Sequence, residues 1–546
     1  MPMQQVKTPF TNMSFAPDVP SSSLQANEYN FGSNVETDVR SIKSVAGDQY
    51  ILAGIPGNPI FVTSGFDING VYWFIVATVQ GQWYAVNTSG YTNITPPYGT
   101  FTGYSVDTVI TASWNGSVVF LNDQINPPMY YEPGVYDYIR LYDNPPDNYA
   151  WNYDVGFNID GNVVPLYSSL TCGFVRVYNS PNLGSLLVAG NLTGEINANV
   201  VPSGGTTQYL PTSVRWSQNF GINSGPTTWA PTATNVANQV EMPVRGPITD
   251  GFPLNGNFYI CSYWDTCAMS PIAYQSSTAP VFGIKLVNQG RGMLNENCWV
   301  TVDNTVFGLD ARDIWQFDGG NFKAIGNQRV KDYFYSNLNE AYTNQIFMVH
   351  NSSKYQIEIY YPDLTSTGRC NQMLSYRYDL DVWQPPRSVS LATQATEAPT
   401  FVANVPNLAT RTVIYATYNT DSVGNAHLIQ KDTGTSFLGN AITSLFQRNN
   451  ISYGQPYSAS VLVHRMLPEV YGTGNVDITI GGANSVDSAP TFKPIETMVI
   501  DTNDPWVQID QNEYRVITMK VGTTSSTDSW QLSAANWQVT VVQDTR

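Results

Sequence analysis

"VYWFIVATVQGQWYAVNTSG", residues 71–90, sets two aromatic and β-branched runs on either side of Gln80-Gly81. Such side chains suit a pleated, half-buried surface, and glycine supplies the positive φ of a tight turn. The stretch predicts a β-hairpin. Outward from it the same grammar recurs. "SVVFLND" (117–123) is a strand, and "NPPMYYEPG" breaks out of it. "SLLVAGN" (185–191) and "SVRWSQN" (213–219) follow, then "NFYICSYWDTCAMSP" (257–271) and "CWVTVDNTVFGLDARDIWQFDGG" (298–320). "YQIEIYYPD" (355–363) pairs with "MLSYRYDLDVWQPP" (373–386), and "TVIYATYN" (412–419) with "AHLIQKDTG" (426–434). Strand, short turn, strand, often with a tryptophan late in the unit (Trp83, Trp315, Trp383), is a degenerate repeat that predicts a β-propeller.

From about Tyr453 the alternation becomes one-sided. Val476, Ile478 and Ile480 alternate with polar residues, as do Ile517, Met519 and Val521, and Trp537, Val539 and Val541. That pattern predicts a small antiparallel β-sandwich with one face per sheet in the core. The expected fold is therefore all-β: a propeller-like domain over residues 51–445, a C-terminal sandwich over 446–546, and an N-terminal extension with the first strands over 1–50. Few short helices are expected. The one credible helix is "QRVKDYFYSNLNEAY" (328–342), where Val330, Phe334 and Leu338 form one apolar stripe.

Composition bounds the function. The 546 residues carry 13% aromatics and only 12% charged residues, against roughly 25% in ordinary globular chains. The surface must be dressed with Asn, Ser, Thr and Gln, which suits a rigid β-protein in a large assembly. A net charge of −17 argues against DNA binding by phosphate neutralisation and against an anionic membrane surface. Five cysteines without CxxC spacing (Cys172, Cys261, Cys267, Cys298, Cys370) predict free thiols rather than a disulfide framework or a zinc site. "MPMQQVKTPF" lacks an apolar h-region, so no signal peptide and no secretion are expected. No apolar run of ~18 residues predicts a membrane span. Sequons at Asn87 and Asn191 are expected by chance in so Asn-rich a chain.

Catalytic material is thin. The histidines, His350, His427 and His464, are far apart, and no HExxH, GxSxG or GxxxxGK[ST] motif occurs. "NQGRGMLN" (288–295) reads as a turn and "FDING" (66–70) as a hairpin turn rather than a calcium loop. Paired carboxylates need only proximity in space. Asp310, Asp313, Asp379 and Asp381 are nominal candidates, each beside a turn signal. "SQNFGINSGPTTW" (217–229) resembles the Asp-box hairpin of sialidase propellers but lacks the aspartate. No catalytic, metal or cofactor residue is assigned.

Several segments, taken in order, resemble the tail nozzle proteins of short-tailed bacteriophages, also called tail tubular protein B or tail hub. They are "LQANEYNFGSNVETDVRSIKSVAG" (24–47), "VVFLNDQINPPMYYEPG" (118–134) and "VRWSQNFGINSGPTTW" (214–229). A succession follows of Trp315, Asp318, Gly319, Ile325, Gly326, Arg329, Val330, Asp332 and Tyr333, then "QIEIYYPD" with "MLSYRYDLDVWQ", then "RMLPEVYGTGNVDITIGG" (465–482). The aromatic loop "LYDNPPDNYAWNYDVGFNIDGN" (141–162) departs from the pattern. The resemblance implies a structural, non-enzymatic virion protein. Its subunits would form a sixfold homomeric ring in the virion tail, extending the head-to-tail adaptor, contacting tail fibres or other tail proteins, and passing viral DNA without specific binding. Assembly would occur in the host cytoplasm, without membrane insertion. An acidic lumen would repel phosphates. The alternatives are a glycan-cleaving propeller and a receptor-binding module that stacks sugars on Trp and Tyr. The polar stretches at 140–165 and 190–212 are the expected contact loops.

Overall fold

The computed structural model describes residues 3–542 except 144–148, 153–157, 160–161, 164, 199–205, 233–234, 273–280, 327, 421–425, 454–458, 486–487 and 501–505. The 71–90 stretch is a hairpin: Tyr72–Thr78 pairs antiparallel with Trp83–Asn87, and Gly81 turns the chain at φ 82°. Its hairpin is the middle of a four-stranded meander, residues 59–93. Four more such sheets follow at 111–141, 167–241, 248–289 and 299–324. We number these blades 1 to 5.

A seven-stranded sheet supplies two more blades. Its pivot is the 21-residue strand Val382–Val402. Residues 382–392 pair with Cys370–Arg377 and complete blade 6, which starts at Phe347–Asn351. Residues 392–402 pair with Val405–Thr420 and open blade 7. Leu391, at φ 41°, marks the change of course. Blade 7 ends with an N-terminal strand, Asp48–Ile55, laid against Ala426–Lys431. The chain then enters blade 1, so a strand from near the start closes a ring of seven blades among the described residues.

Apart from two short ladders, Ser14–Phe15 with Glu28–Tyr29 and Asn158–Ile159 with Asn162–Val163, the remaining described strands form a two-sheet sandwich. One sheet runs Val507–Tyr514, Ser460–Thr473, Ser529–Val542, Ser41–Ser44, Val35–Asp38, with Gln4–Pro9 also on Ser529–Val542. The other runs Thr491–Phe492, Asn475–Ala483, Val516–Thr523, Ser444–Ile451, Phe31–Ser33, with Glu496–Val499 also on Asn475–Ala483. The N-terminal strands Gln4–Pro9, Phe31–Ser33, Val35–Asp38 and Ser41–Ser44 are thus strands of the sandwich. The alternation read in the sequence faces inward except at its end: Val476, Ile478, Ile517, Met519, Val521, Trp537 and Val539 are fully buried and Ile480 is buried, whereas Val541 is only half-buried. One apolar core joins the sandwich to blades 4 to 6, running from Trp537 through Phe446 and Tyr29 to Trp315, Trp383 and Phe334.

Two expectations need adjusting. The helix is shorter than 328–342: it spans Lys331–Asn337, with Val330 and Leu338 as its flanking residues, and a 3-10 turn, Glu340–Gln345, follows. Asn339 breaks it, because its side chain accepts the Ala341 N–H and starts the new turn. The apolar stripe still points inward, with Val330, Phe334 and Leu338 all buried. The 190–212 stretch is mostly strand: Gly184–Ile196 and Thr207–Trp216 extend into it and pair with each other. Only its tip, 199–205, lies outside the described residues, as does much of 140–165.

Candidate functional site: the propeller axis and its closing seam

The first strand of every blade faces the axis, and hydrogen bonds, all but one of them involving a side chain, stitch these strands into a closed circle. Trp114 Nε1 donates to Thr63 Oγ1 at 2.9 Å between blades 2 and 1. Ser113 Oγ accepts Val177 N at 3.0 Å between blades 2 and 3. Arg176 binds Asp250 between blades 3 and 4, and Trp299 Nε1 donates to Asp250 Oδ2 at 2.9 Å between blades 5 and 4. Met348 N donates to the Asn297 carbonyl at 2.9 Å ahead of blade 6, Ser352 N to Glu397 Oε1 at 2.7 Å between blades 6 and 7, and Ser64 pairs with Thr396 at 2.9 Å between blades 1 and 7.

Inside this circle lies a cavity of about 310 Å³, lined among others by Thr63, Arg176, Trp299, Met348, His350 and Gln394. Arg176 is buried and fully engaged. Its Nε and Nη2 reach Asp250 at 2.9 and 2.5 Å, Nη1 the Ala112 carbonyl at 2.8 Å, and Nη2 also Asn297 Oδ1 at 2.9 Å. Burial lowers the His350 imidazole below its ordinary pKa, although Glu397, Asp303 and Glu358 oppose the shift. One end of the axis is plugged. Asn297 crosses to the Ile110 carbonyl at 3.0 Å, Arg369 binds Gln345, and Gln345 binds the Val106 carbonyl. Only about 20 Å³ remains there. Next to the plug, Glu296 accepts from Gln124 Nε2 at 3.0 Å; burial, reinforced by Asp250, pushes its carboxyl up to about 7.

A second polar cluster sits at the seam where blade 7 closes. Arg387 on the pivot strand binds Asp48 of the closing strand and, at 2.6 Å, Asp432. Asp48 also accepts the Tyr415 hydroxyl at 2.9 Å. Lys354 bridges Asp432 at 2.9 Å and Glu36 at 2.7 Å, and Lys43 reaches Glu36 at 3.2 Å. Lys431 binds Glu358, which accepts Asn351 Nδ2 at 2.8 Å and the Tyr360 hydroxyl at 2.8 Å. Burial pushes the Asp432 carboxyl up, but Lys354, Lys431 and Arg387 overcome it and hold the group well below the usual carboxylate range. Glu36 is likewise lowered against its burial, by Lys354 and Lys43. Asp48 stays raised, because burial outweighs Arg387. Nothing local in the sequence announced this cluster: Asp48 and Arg387 are 339 residues apart.

The nominal carboxylates fall into two places. Asp310 and Asp313 come together around Arg291, at 3.0 and 3.6 Å, and Asp310 also accepts the Arg312 and Asp313 amides. Asp379 binds Arg377 through two bonds, 3.0 and 2.6 Å, and Asp381 accepts the Tyr376 hydroxyl at 2.7 Å and faces Arg329 at 3.6 Å. Each is thus held by a turn or a cation. "FDING" is a hairpin turn, in which Asp67 Oδ1 accepts the Asn69 and Val71 amides. At "NQGRGMLN" a Cβ on Gly292 would stand 2.1 Å from the Ser262 carbonyl, so the turn requires glycine. All five cysteines are buried and unbonded to one another. No group of three or more potential metal ligands occurs among the described residues, and none of the described helices is long and apolar enough to cross a membrane.

No protein-family model matches the chain, and no curated protein matches it. Among solved structures, it is similar to a chain of a mitotic checkpoint complex, with 7% identity, a TM-score of 0.33, and coverage of 69% of this chain and 92% of that one. It is also similar to BBS1N in complex with ARL6DN, in mercury-soaked and lead-soaked crystals. Identity there is 9% and 10%, with a TM-score of 0.37 and coverage of 73% of this chain and 100% of the other in both cases. The seven-blade reading rests on the strand pairing of the chain itself.

Proposed function

We propose that this chain is a structural subunit of a viral tail nozzle, assembled as a sixfold ring on a head-to-tail adaptor and surrounding the path of the ejected DNA. The observation that carries the reading is how the molecule is bound together. A single N-terminal stretch first supplies strands to the sandwich, then closes the propeller, and one core runs through both. A body built this way transmits load without hinging, as a channel wall must. The ordered resemblance of its segments to nozzle proteins points the same way, as does the dearth of charged residues.

The axial cavity has the size of a small-ligand pocket and is plugged at one end. In this proposal DNA therefore runs between subunits, around the ring's own axis, and never through a propeller. The net charge of −17 keeps phosphates from adhering to that wall. Electron microscopy of the chain mixed with a candidate adaptor ring tests the reading. A coaxial hexamer with a through-channel is the expected result. A chain that stays monomeric at all ratios, or a ring whose lumen is basic, defeats it.

A further inference from the structure

We propose that Lys431 and Asn351 join in an intramolecular isopeptide bond that covalently locks the closing seam of the propeller. The three groups such a reaction needs are already gathered. Lys431 is an amine nucleophile, Asn351 a carboxamide electrophile, and Glu358 an acid–base group between them. Lys431 Nζ and Asn351 Nδ2 both donate to the same oxygen, Glu358 Oε1. A shuttle in contact with both nucleophile and leaving group is the arrangement that general acid–base catalysis requires. Ser353 Oγ donates to Asn351 Oδ1 at 2.8 Å, where negative charge develops when the carbonyl carbon is attacked.

The setting is dry. Asn351 and Glu358 are 0% exposed and Lys431 1% exposed. Phe347, Tyr360 and Tyr415 belong to the apolar cluster of this region, and Tyr360 holds the other oxygen of Glu358. Water that would compete by hydrolysing the amide is kept out. The partners lie far apart in the chain and on different blades. Asn351 ends the first strand of blade 6, and Lys431 ends the third strand of blade 7, against which the closing strand Asp48–Ile55 pairs.

The reaction balances without a co-reactant. Glu358 takes a proton from the Lys431 ammonium, and the freed amine attacks Asn351 Cγ. The Cγ–Nδ2 bond breaks, and the Nδ2 nitrogen leaves carrying both protons that Lys431 gives up, as ammonium. Glu358 ends as the carboxylate it began as, and Nζ–Cγ is an ordinary amide. The step requires a side-chain rotation of Lys431 that carries Nζ from the shared carboxylate oxygen onto Cγ.

Intact-mass spectrometry of the full-length chain, denatured after purification, reads the outcome directly. The bond removes about 17 Da, the mass of the ammonia lost when an amine displaces an amide nitrogen. Digestion must then yield a branched peptide joining the segments around Asn351 and Lys431. Asn351→Ala and Lys431→Arg should keep the full sequence mass, and Glu358→Gln should keep it in protein whose circular dichroism matches the wild type. Wild-type chain at full sequence mass overturns the proposal, whether or not the variants fold. A loss of the same mass without the branched peptide, as succinimide formation would give, also overturns it, as does a loss that persists in Asn351→Ala.

Discussion

Blades 1 to 5 and the closing seam solve the same problem by different means. Each of the first five blades is one contiguous stretch of chain, folded as successive hairpins. Between blades 3 and 4, outside the axial Arg176–Asp250 pair, the contact is apolar: Phe174, Val188, Phe258, Ile260 and Met269 pack into one cluster. At the seam the parts come from opposite ends of the sequence, and Asp48, Arg387, Asp432, Lys354, Lys431, Glu358 and Glu36 meet in a buried network. Apolar packing tolerates sliding, whereas a paired charge is satisfied in one arrangement. The difference teaches that register is fixed by polar geometry where the turn between strands cannot fix it.

Removing one member of the seam should break it. Arg387→Ala leaves Asp48 and Asp432 without a shared cation in the interior, and should lower stability by about 3–5 kcal/mol in urea unfolding. A loss under 1 kcal/mol would mean that the network is passive. The pH dependence sharpens the contrast. Asp432 is held below its unfolded value, so its contribution is complete above about pH 4 and disappears as pH falls through the lower folded value. Thermal melts between about pH 4 and pH 2 should fall steeply for the wild type and more gently for Asp432→Asn.

Glu296 has the opposite sign. With its pKa raised to about 7, it favours the folded state most at low pH and loses that contribution as pH rises through 7. Glu296→Gln should therefore raise stability by about 1–2 kcal/mol at pH 8 and leave pH 4 nearly unchanged, because solvent screens part of the penalty at this half-buried carboxyl. Equal effects at both pH values would sink this account. The smallest effect belongs to the apolar blades: Ile260→Val removes one buried methyl group and should cost about 1 kcal/mol, with no dependence on pH.

The sequence disclosed what is local. Alternation in 71–90, the Asp318-Gly319 turn and the stripe of Val330, Phe334 and Leu338 each depend on neighbours a few residues away, and each appears in the fold. It concealed what is distant. Asp250 lies 74 residues from Arg176, and Glu36 lies 318 from Lys354, so no periodicity or spacing reports that they meet. Strands Gln4–Pro9, Phe31–Ser33 and Ser41–Ser44 carry no mark of the sandwich they join, because a pairing across most of the chain leaves no local trace. The 190–212 stretch reads as loop because polar residues dominate a hairpin only partly buried.

The strand Val382–Val402 is the outer edge of one blade and the axial strand of the next. A blade elsewhere in the ring can open by fraying its own outermost strand. Here that strand cannot leave blade 6 without pulling the innermost strand out of blade 7. The two blades therefore share one opening free energy and behave as a single cooperative unit, whose backbone amides should exchange with solvent together.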